Sequence, residues 1–240
     1  QAQAAEKMLF YDNGVLSAAT AFGKTVVGAY LIAQRKVNTL VLVHTVEIMN
    51  NWVRDLNEFL NINEPLSTYT TPKGRIKHRD SLIGTFSSQK DASTGIIDIA
   101  MITSLGRNDD INPMVRNYGL VIMDECHHSA AFTHENVLRA VTAKYVYGMT
   151  ATAKRMDGQV KKVFMQFGPV RHRYTAKDRA QKQGIGHFVY PRFTRLVDLD
   201  GNGDRHISDC FNMVCRSEVR NMQIIADTVD CVKKGRTPLV

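Results

Sequence analysis

Cysteine is scarce in this chain: Cys126, Cys210, Cys215 and Cys231 are the only four among 240 residues. Their uneven spacing offers neither a disulfide framework nor the paired Cys-x-x-Cys of a structural zinc site, so reduced and mostly buried thiols are expected. Long apolar runs are missing as well. None approaches the roughly 18 residues that a membrane-spanning helix needs. The opening QAQAAEKMLF has neither the basic start nor the apolar centre of a secretion signal. No membrane partner and a cytoplasmic location are therefore expected, and a first residue other than Met is expected of a piece cut from a longer chain. Internal repeats and low-complexity tracts are also lacking. What is present, 44% apolar and 22% charged residues, is ordinary for a folded protein of one large domain, or one domain with part of another.

Acidic residues are outnumbered, giving a formal charge of +8. Between Lys154 and Lys182, nine Lys or Arg stand against Asp157 and Asp178, so one segment carries most of the excess. A polyanion fits such a patch, and so does a solvated basic face.

The first two thirds alternate short β-rich apolar runs with helical patterns, the signature of βαβ units around a parallel sheet. Strands are expected at Gly14–Ala18, Thr39–His44, Ile97–Thr103, Leu120–Asp124 and Tyr145–Thr150. Their near-continuous apolar character suits burial on both faces. Helices are expected from Thr25 to Gln34, with a stripe of Val26, Ala29, Tyr30 and Ala33, and from Val46 to Leu60, with Met49, Val53, Leu56 and Leu60. The polar, turn-rich stretch 70–95 reads as an insertion or surface lobe. After Gly168-Pro169, Arg171–Tyr174 and Gly186–Leu199 read as β. A helix is expected over Arg216–Lys234, stopping at Gly235, with a strand beginning at Pro238-Leu239-Val240.

Three strings carry chemistry. In ATAFGKT, Ala19 to Thr25, a buried-strand pattern precedes and a helical pattern follows the Gly-Lys-Thr triplet. Backbone N–H groups at a helix start can surround phosphates, with the Lys neutralising charge and the hydroxyl after it holding Mg2+. Ala18 and Ala21 occupy positions where glycine is frequent, so a loop that merely ends in GKT is the other reading. LVIMDECHH, Leu120 to His128, is an apolar strand ending in two carboxylates. Asp124 is placed to hold the water shell of Mg2+ and Glu125 to orient an attacking water, unless both are solvated acids of a turn. A zinc reading of Cys126, His127 and His128 lacks a second ligand cluster. YVYGMTATAKR, Tyr145 to Arg155, brings the hydroxyls of Thr150 and Thr152 to the same sheet edge. DLDGNGDRHISD, from Asp198, has part of a calcium-loop pattern, but Asp209 stands where a bidentate Glu belongs; a polar turn or hinge is simpler.

In this order the strings resemble the motifs of superfamily 2 helicases and translocases, in the DEAD/DEAH-box group. SAATAFGKT is similar to motif I in its AxxxxGKT form, DECH to motif II and TAT to motif III, over about residues 1–170. Within the group the likeness is to bacterial helicases related to excision-repair translocases and to helicase-like restriction subunits. There FGKT, DECHH and TAT followed by a basic residue occur together. The resemblance implies an α/β P-loop NTPase: a RecA-like lobe with a mainly parallel sheet flanked by helices over 1–170, including the 70–95 insertion. It further implies a linker and β segment over 171–215 and the truncated start of a second RecA-like lobe over 216–240.

ATP and Mg2+ are the implied cofactors, and nucleic acid, with a tilt toward double-stranded DNA, the implied partner alongside the missing second lobe. On the family pattern Thr20, Ala21, Phe22, Gly23, Lys24 and Thr25 wrap the triphosphate, Thr25 and Asp124 serve Mg2+, and Lys24, Asp124 and Glu125 carry catalysis. His127, Thr150 and Thr152 link the ATP site to nucleic acid and to the other lobe. Motif Ia falls at LVHTVEIMNNW, which makes His44 and Thr45 nucleic-acid candidates, and motif Ib at MITS adds Thr103 and Ser104. Gln1, with Gln3 as its rival, lies upstream of Lys24 at a distance like that of an adenine-reading Gln. Two departures stand out: Ala153 replaces the Pro that commonly follows TAT, and motifs IV to VI, with their arginine finger, have no match. The chain alone is therefore expected to bind ATP·Mg2+ but to hydrolyse it poorly. A nucleic-acid-binding module without useful catalysis is the rival reading.

Overall fold

A computed structural model describes residues 1–71, 73–107, 110–151, 160–184, 188–194 and 206–240, in two compact units, Gln1–Ile185 and Gly186–Val240. The first unit opens with helix α1 (Ala2–Leu9), strand β1 (Asn13–Ala18), α2 (Lys24–Arg35), β2 (Thr39–Val43) and α3 (Val46–Phe59). A small hairpin, β3 (Thr68–Thr70) and β4 (Ile76–His78), leads to β5 (Ile83–Ser87), β6 (Lys90–Asp91), β7 (Ile97–Met101) and the single turn α4 (Ile102–Leu105). A two-residue ladder, β8 (Gly106–Arg107) and β9 (Asp110–Ile111), precedes β10 (Leu120–Asp124). Then come α5 (Phe132–Arg139), β11 (Tyr145–Thr150), α6 (Val160–Phe167), β12 (Val170–Tyr174) and α7 (Ala176–Gln183).

Eight strands form one sheet in the order β12-β1-β11-β10-β2-β7-β5-β6. Every pairing is parallel except the short β5–β6 edge. Side chains on successive strand residues alternate between faces, so a parallel sheet covered on both sides needs apolar residues at every position. Strand β2 shows this: Val41 and Val43 join the core under α1, α2 and α3, whereas Leu40 and Leu42 join the core under α4, α5 and α6. Strand β10 repeats it with Leu120 and Ile122 on one side and Val121 and Met123 on the other.

Several expectations are revised. The 70–95 stretch is exposed in its hairpin, but its end supplies β5, whose Ile83 is buried against β7. Arg171–Tyr174 falls within the sheet's edge strand β12, paired with β1, and belongs to the first unit. The buried residues of α2 are Val27, Gly28, Ala29, Leu31 and Ile32; Ala29 is as expected, Val26 is half-buried, and Tyr30 and Ala33 face solvent. The helix lies between the sheet, α1 and α3, and Tyr30 and Ala33 gave no strong apolar preference against that packing. Trp52 joins Met49 and Leu56 in the buried face of α3.

In the second unit, α8 (Ile207–Arg216) and α9 (Glu218–Lys233) have no buried residue. Asn221 Nδ2 donates to the Cys215 carbonyl at 2.9 Å, and Arg192 pairs with Asp227 at 3.1 Å. The expected β character of 186–199 is not seen at 188–194, where Pro191 removes a ladder donor and Phe188, Val189 and Phe193 are exposed. Residues 238–240 form no strand. The DLDGNGD turn lies outside the described residues. Of the cysteines only Cys126 is buried; Cys210 and Cys215 are exposed on α8, which offers no core to cover them.

Candidate functional site

Parallel strands end at one edge, and the turns that follow them collect there. Ser17 of β1 is in register with Thr150 of β11, and Met149 of β11 with Asp124 of β10. Three segments far apart in sequence therefore finish side by side.

After β1 the loop 19–23 closes through Phe22 N–H donating to the Ala19 carbonyl at 3.2 Å. Ala21 takes φ +60° and Gly23 φ +87°, left-handed conformations that glycine adopts at little cost and alanine does not. A Cβ on Gly23 would also stand 2.2 Å from Gln1 Nε2, which donates to the Phe22 carbonyl at 2.8 Å. Gly23 is the N-cap of α2, and no side chain caps that helix. Its first N–H groups thus lack intrahelical acceptors and present partial positive charge.

At the end of β10, Glu125 turns the chain at φ +48°, ψ +50° into a 3-10 turn over Cys126–Ala130. Lys24 Nζ donates to Glu125 Oε1 at 2.6 Å. Glu125 Oε2 lies 3.3 Å from His127 Nδ1, 3.5 Å from the Thr150 hydroxyl and 3.4 Å from Ala151 N. His127 Nδ1 and Thr150 Oγ1 are 2.9 Å apart. Burial works to raise the Glu125 carboxyl, but the Lys24 hydrogen bond and charge, with Ala151 N–H and His127, outweigh it and hold it below the usual range. Asp124 accepts Glu125 N–H on Oδ1 and Trp52 Nε1–H on Oδ2, both at 2.9 Å. The Cys126 thiol beneath is pushed up by burial, with Glu125 and Asp124 adding to it.

The structure thus brings Lys24, Glu125, His127 and Thr150 into mutual reach, with Asp124 beside them. Thr25 occupies the first turn of α2, and Thr152 lies outside the described residues. His44 and Thr45 follow β2 at the same edge; the Thr45 hydroxyl caps α3 by accepting Ile48 N–H at 3.3 Å. The His44 ring packs at a tilt against His128 at 4.7 Å between ring centroids, and His128 likewise against His127 at 4.1 Å. Thr103 is exposed on α4, whereas Ser104 Oγ accepts Ser88 N–H at 2.9 Å. These two have no direct contact with the carboxylate cluster among the described residues.

Sequence reasoning missed several groups. Trp52 reaches Asp124 across 72 residues of sequence. Arg179 Nη1 donates to the Thr20 carbonyl at 3.0 Å, and Tyr174 packs on Phe22 at 4.8 Å between centroids. With Gln1, Ala21, Phe22 and Lys182 they line a cleft of about 260 Å3 beside the loop. Only the basic character of the 154–182 segment pointed to them. Within that segment Arg171 is held by the Asn13 carbonyl at 3.1 Å and Lys162 by Glu135 at 3.2 Å, so part of its charge has local partners.

Fold and site together define the N-terminal RecA-like lobe of a superfamily 2 helicase. The family model described as "Type III restriction enzyme, res subunit" matches residues 1–155, and the chain belongs to that family. The DNA 3'-5' translocase XPB2 of Sulfurisphaera tokodaii is 24% identical over 182 residues, 76% of this chain; the chain spans 36% of that translocase's length. The UvsW helicase from bacteriophage T4 superposes with a TM-score of 0.54 at 12% identity, over 70% of this chain and 57% of its own. The Type ISP restriction-modification enzyme LlaGI, solved as a nuclease-deletion mutant with a DNA substrate mimic, gives 0.52 at 16% identity over 77% and 20%. At these identities the two structures speak for the fold alone.

Proposed function

We propose that this lobe binds ATP with Mg2+ at the 20–25 loop and is the nucleotide-handling half of a DNA-dependent helicase or translocase. The observation that carries the reading is the 2.6 Å pair between Lys24 and Glu125, which joins the end of one strand to the helix that follows another. The residues suit the ligand: an uncapped helix start with a left-handed Gly23, a lysine at its first position, and an aspartate with two donors fixed on it. Each Asp124 oxygen keeps lone-pair capacity for a metal or its water. Bound Mg2+ would neutralise charge on the phosphate oxygens.

In this reading Lys24 exchanges Glu125 for phosphate, which frees Glu125 Oε1 to orient a water. With Lys24 on phosphate, Ala151 N–H and His127 remain beside the carboxylate to favour its charged form, which suits it to position that water. The Gln1, Phe22, Tyr174, Arg179 and Lys182 cleft takes the rest of the nucleotide. His44, Thr45, Thr103 and Ser104 form the nucleic-acid edge, with double-stranded DNA as the partner; the relative XPB2, a DNA translocase, supports DNA as the nucleic acid. Residues 216–240 open a second lobe, and the location is cytoplasmic.

An arginine finger is worth about 10³ to 10⁵ in rate, and the family's second-lobe motifs have no match in these 240 residues. Phosphate release by this chain, with and without duplex DNA, is expected to stay near background while duplex binding falls steeply with salt. Strong DNA-stimulated turnover by the chain alone would contradict the division of labour. DNA binding indifferent to ATP would favour the binding-module reading instead.

A further inference from the structure

Trp52 is the chain's single tryptophan and is 1% exposed. A buried indole N–H needs an acceptor, and here the acceptor is Asp124 Oδ2 at 2.9 Å, while Glu125 N–H occupies Oδ1. Two donors on opposite oxygens fix the carboxylate's rotation and leave capacity on each oxygen for a further ligand. The ring itself is clamped by α2: a Cβ on Gly28 would stand 2.5 Å from Trp52 Cη2 and 3.0 Å from Cζ3. No residue larger than glycine fits at position 28 with the indole where it is. One side chain therefore locks together α2, which follows the phosphate loop, α3, which begins at Thr45, and the tip of β10.

We propose that Trp52 is a positioning residue for the metal-binding carboxylate Asp124, with Gly28 present so that the indole can reach it. The proposal rests on the nucleotide-binding reading above. Through Trp52, helix α3 ties the His44–Thr45 corner to the metal end of the site. Groups that orient a metal-binding carboxylate are typically worth about 10- to 100-fold in metal affinity.

The test uses the full chain and a fluorescent, non-hydrolysable ATP analogue. In Trp52→Phe, the Mg2+ concentration that half-saturates analogue binding should rise about tenfold, while analogue affinity in EDTA stays as in the wild type. A merely structural tryptophan would not separate those two readouts. Because Trp52→Phe shrinks a buried side chain, a second measurement uses the native tryptophan. The ¹⁵N-labelled protein should give one indole N–H resonance that moves on adding Mg2+ with the analogue and moves again in Asp124→Asn. Equal Mg2+ midpoints in folded wild type and Trp52→Phe, or an indole resonance indifferent to both changes, would overturn the proposal. A wild type that binds no analogue at all would instead overturn the nucleotide-binding reading, and this inference with it.

Discussion

Glu125 holds a backbone conformation that costs a non-glycine residue roughly 1 to 2 kcal/mol, and its side chain is held by contacts from two distant segments, Lys24 and Thr150–Ala151. Glu125→Gln would keep the side chain's shape and remove the anion that competes for Lys24. Such a variant is expected to bind the ATP analogue at least as tightly as the wild type in a fluorescence titration; weaker binding would mean that Glu125 contributes to holding the nucleotide. His134 supplies a pH-dependent term. It is 8% exposed, and its Nδ1 lies 3.0 Å from the His128 carbonyl. Burial lowers its pKa below the ordinary 6.5, the His128 carbonyl partly opposes this, and His44 adds to it. The folded value lies below the unfolded one, so the unfolded chain takes up the proton first. The stabilisation is present above about pH 6.5 and is lost as the pH falls toward the folded value. Melting temperatures measured between about pH 8 and pH 5 should therefore fall more steeply for the wild type than for His134→Gln.

At the scale of elements, the outer part of the sheet depends on Asp98 of β7. This buried carboxylate accepts Thr94 N–H at 2.7 Å, the Thr94 hydroxyl at 3.1 Å, Gly95 N–H at 2.8 Å and the Tyr118 hydroxyl at 2.6 Å. Its neighbour in register on β5 is Gly84, where a Cβ would stand 2.0 Å from Asp98 Oδ1. Asp98→Ala strands these donors and is expected to cost about 3 kcal/mol in a denaturant titration; a loss within the surface range of about 0.5 kcal/mol would show that water replaces the carboxylate. Gly28→Ala drives a methyl into Trp52 and should cost about 1 to 3 kcal/mol by the same measurement.

The same elements show what a sequence can reveal. Strands β2 and β10 were legible because burial on both faces makes Leu40–Val43 and Leu120–Met123 unbroken apolar runs. Strand β5 was not, because IGTFS at the covered sheet edge has only two fully buried residues. Lys24, Asp124 and Glu125 were legible because each lies in a local string at a strand end. Tyr174 and Arg179 belong to no such string, Trp52 closes the LVHTVEIMNNW string without being singled out in it, and the partners of Trp52, Tyr174 and Arg179 lie 72, 152 and 159 residues away. Their roles come from the crossing of elements, which periodicity does not encode.

At the scale of the whole molecule, the chain carries a charge of +8, and one strand-end edge holds both the 19–25 loop with Lys24 and the His44–Thr45 corner after β2. Both sit on one sheet, whose strand order places β1 beside β11 and β10 beside β2. That the loop before α2 is a phosphate cradle is checked by titrating a fluorescent ATP analogue with Mg2+ into the wild-type chain and into Lys24→Ala. Saturable binding by the wild type that is lost in the variant is the predicted result; equal binding by the two proteins would contradict it.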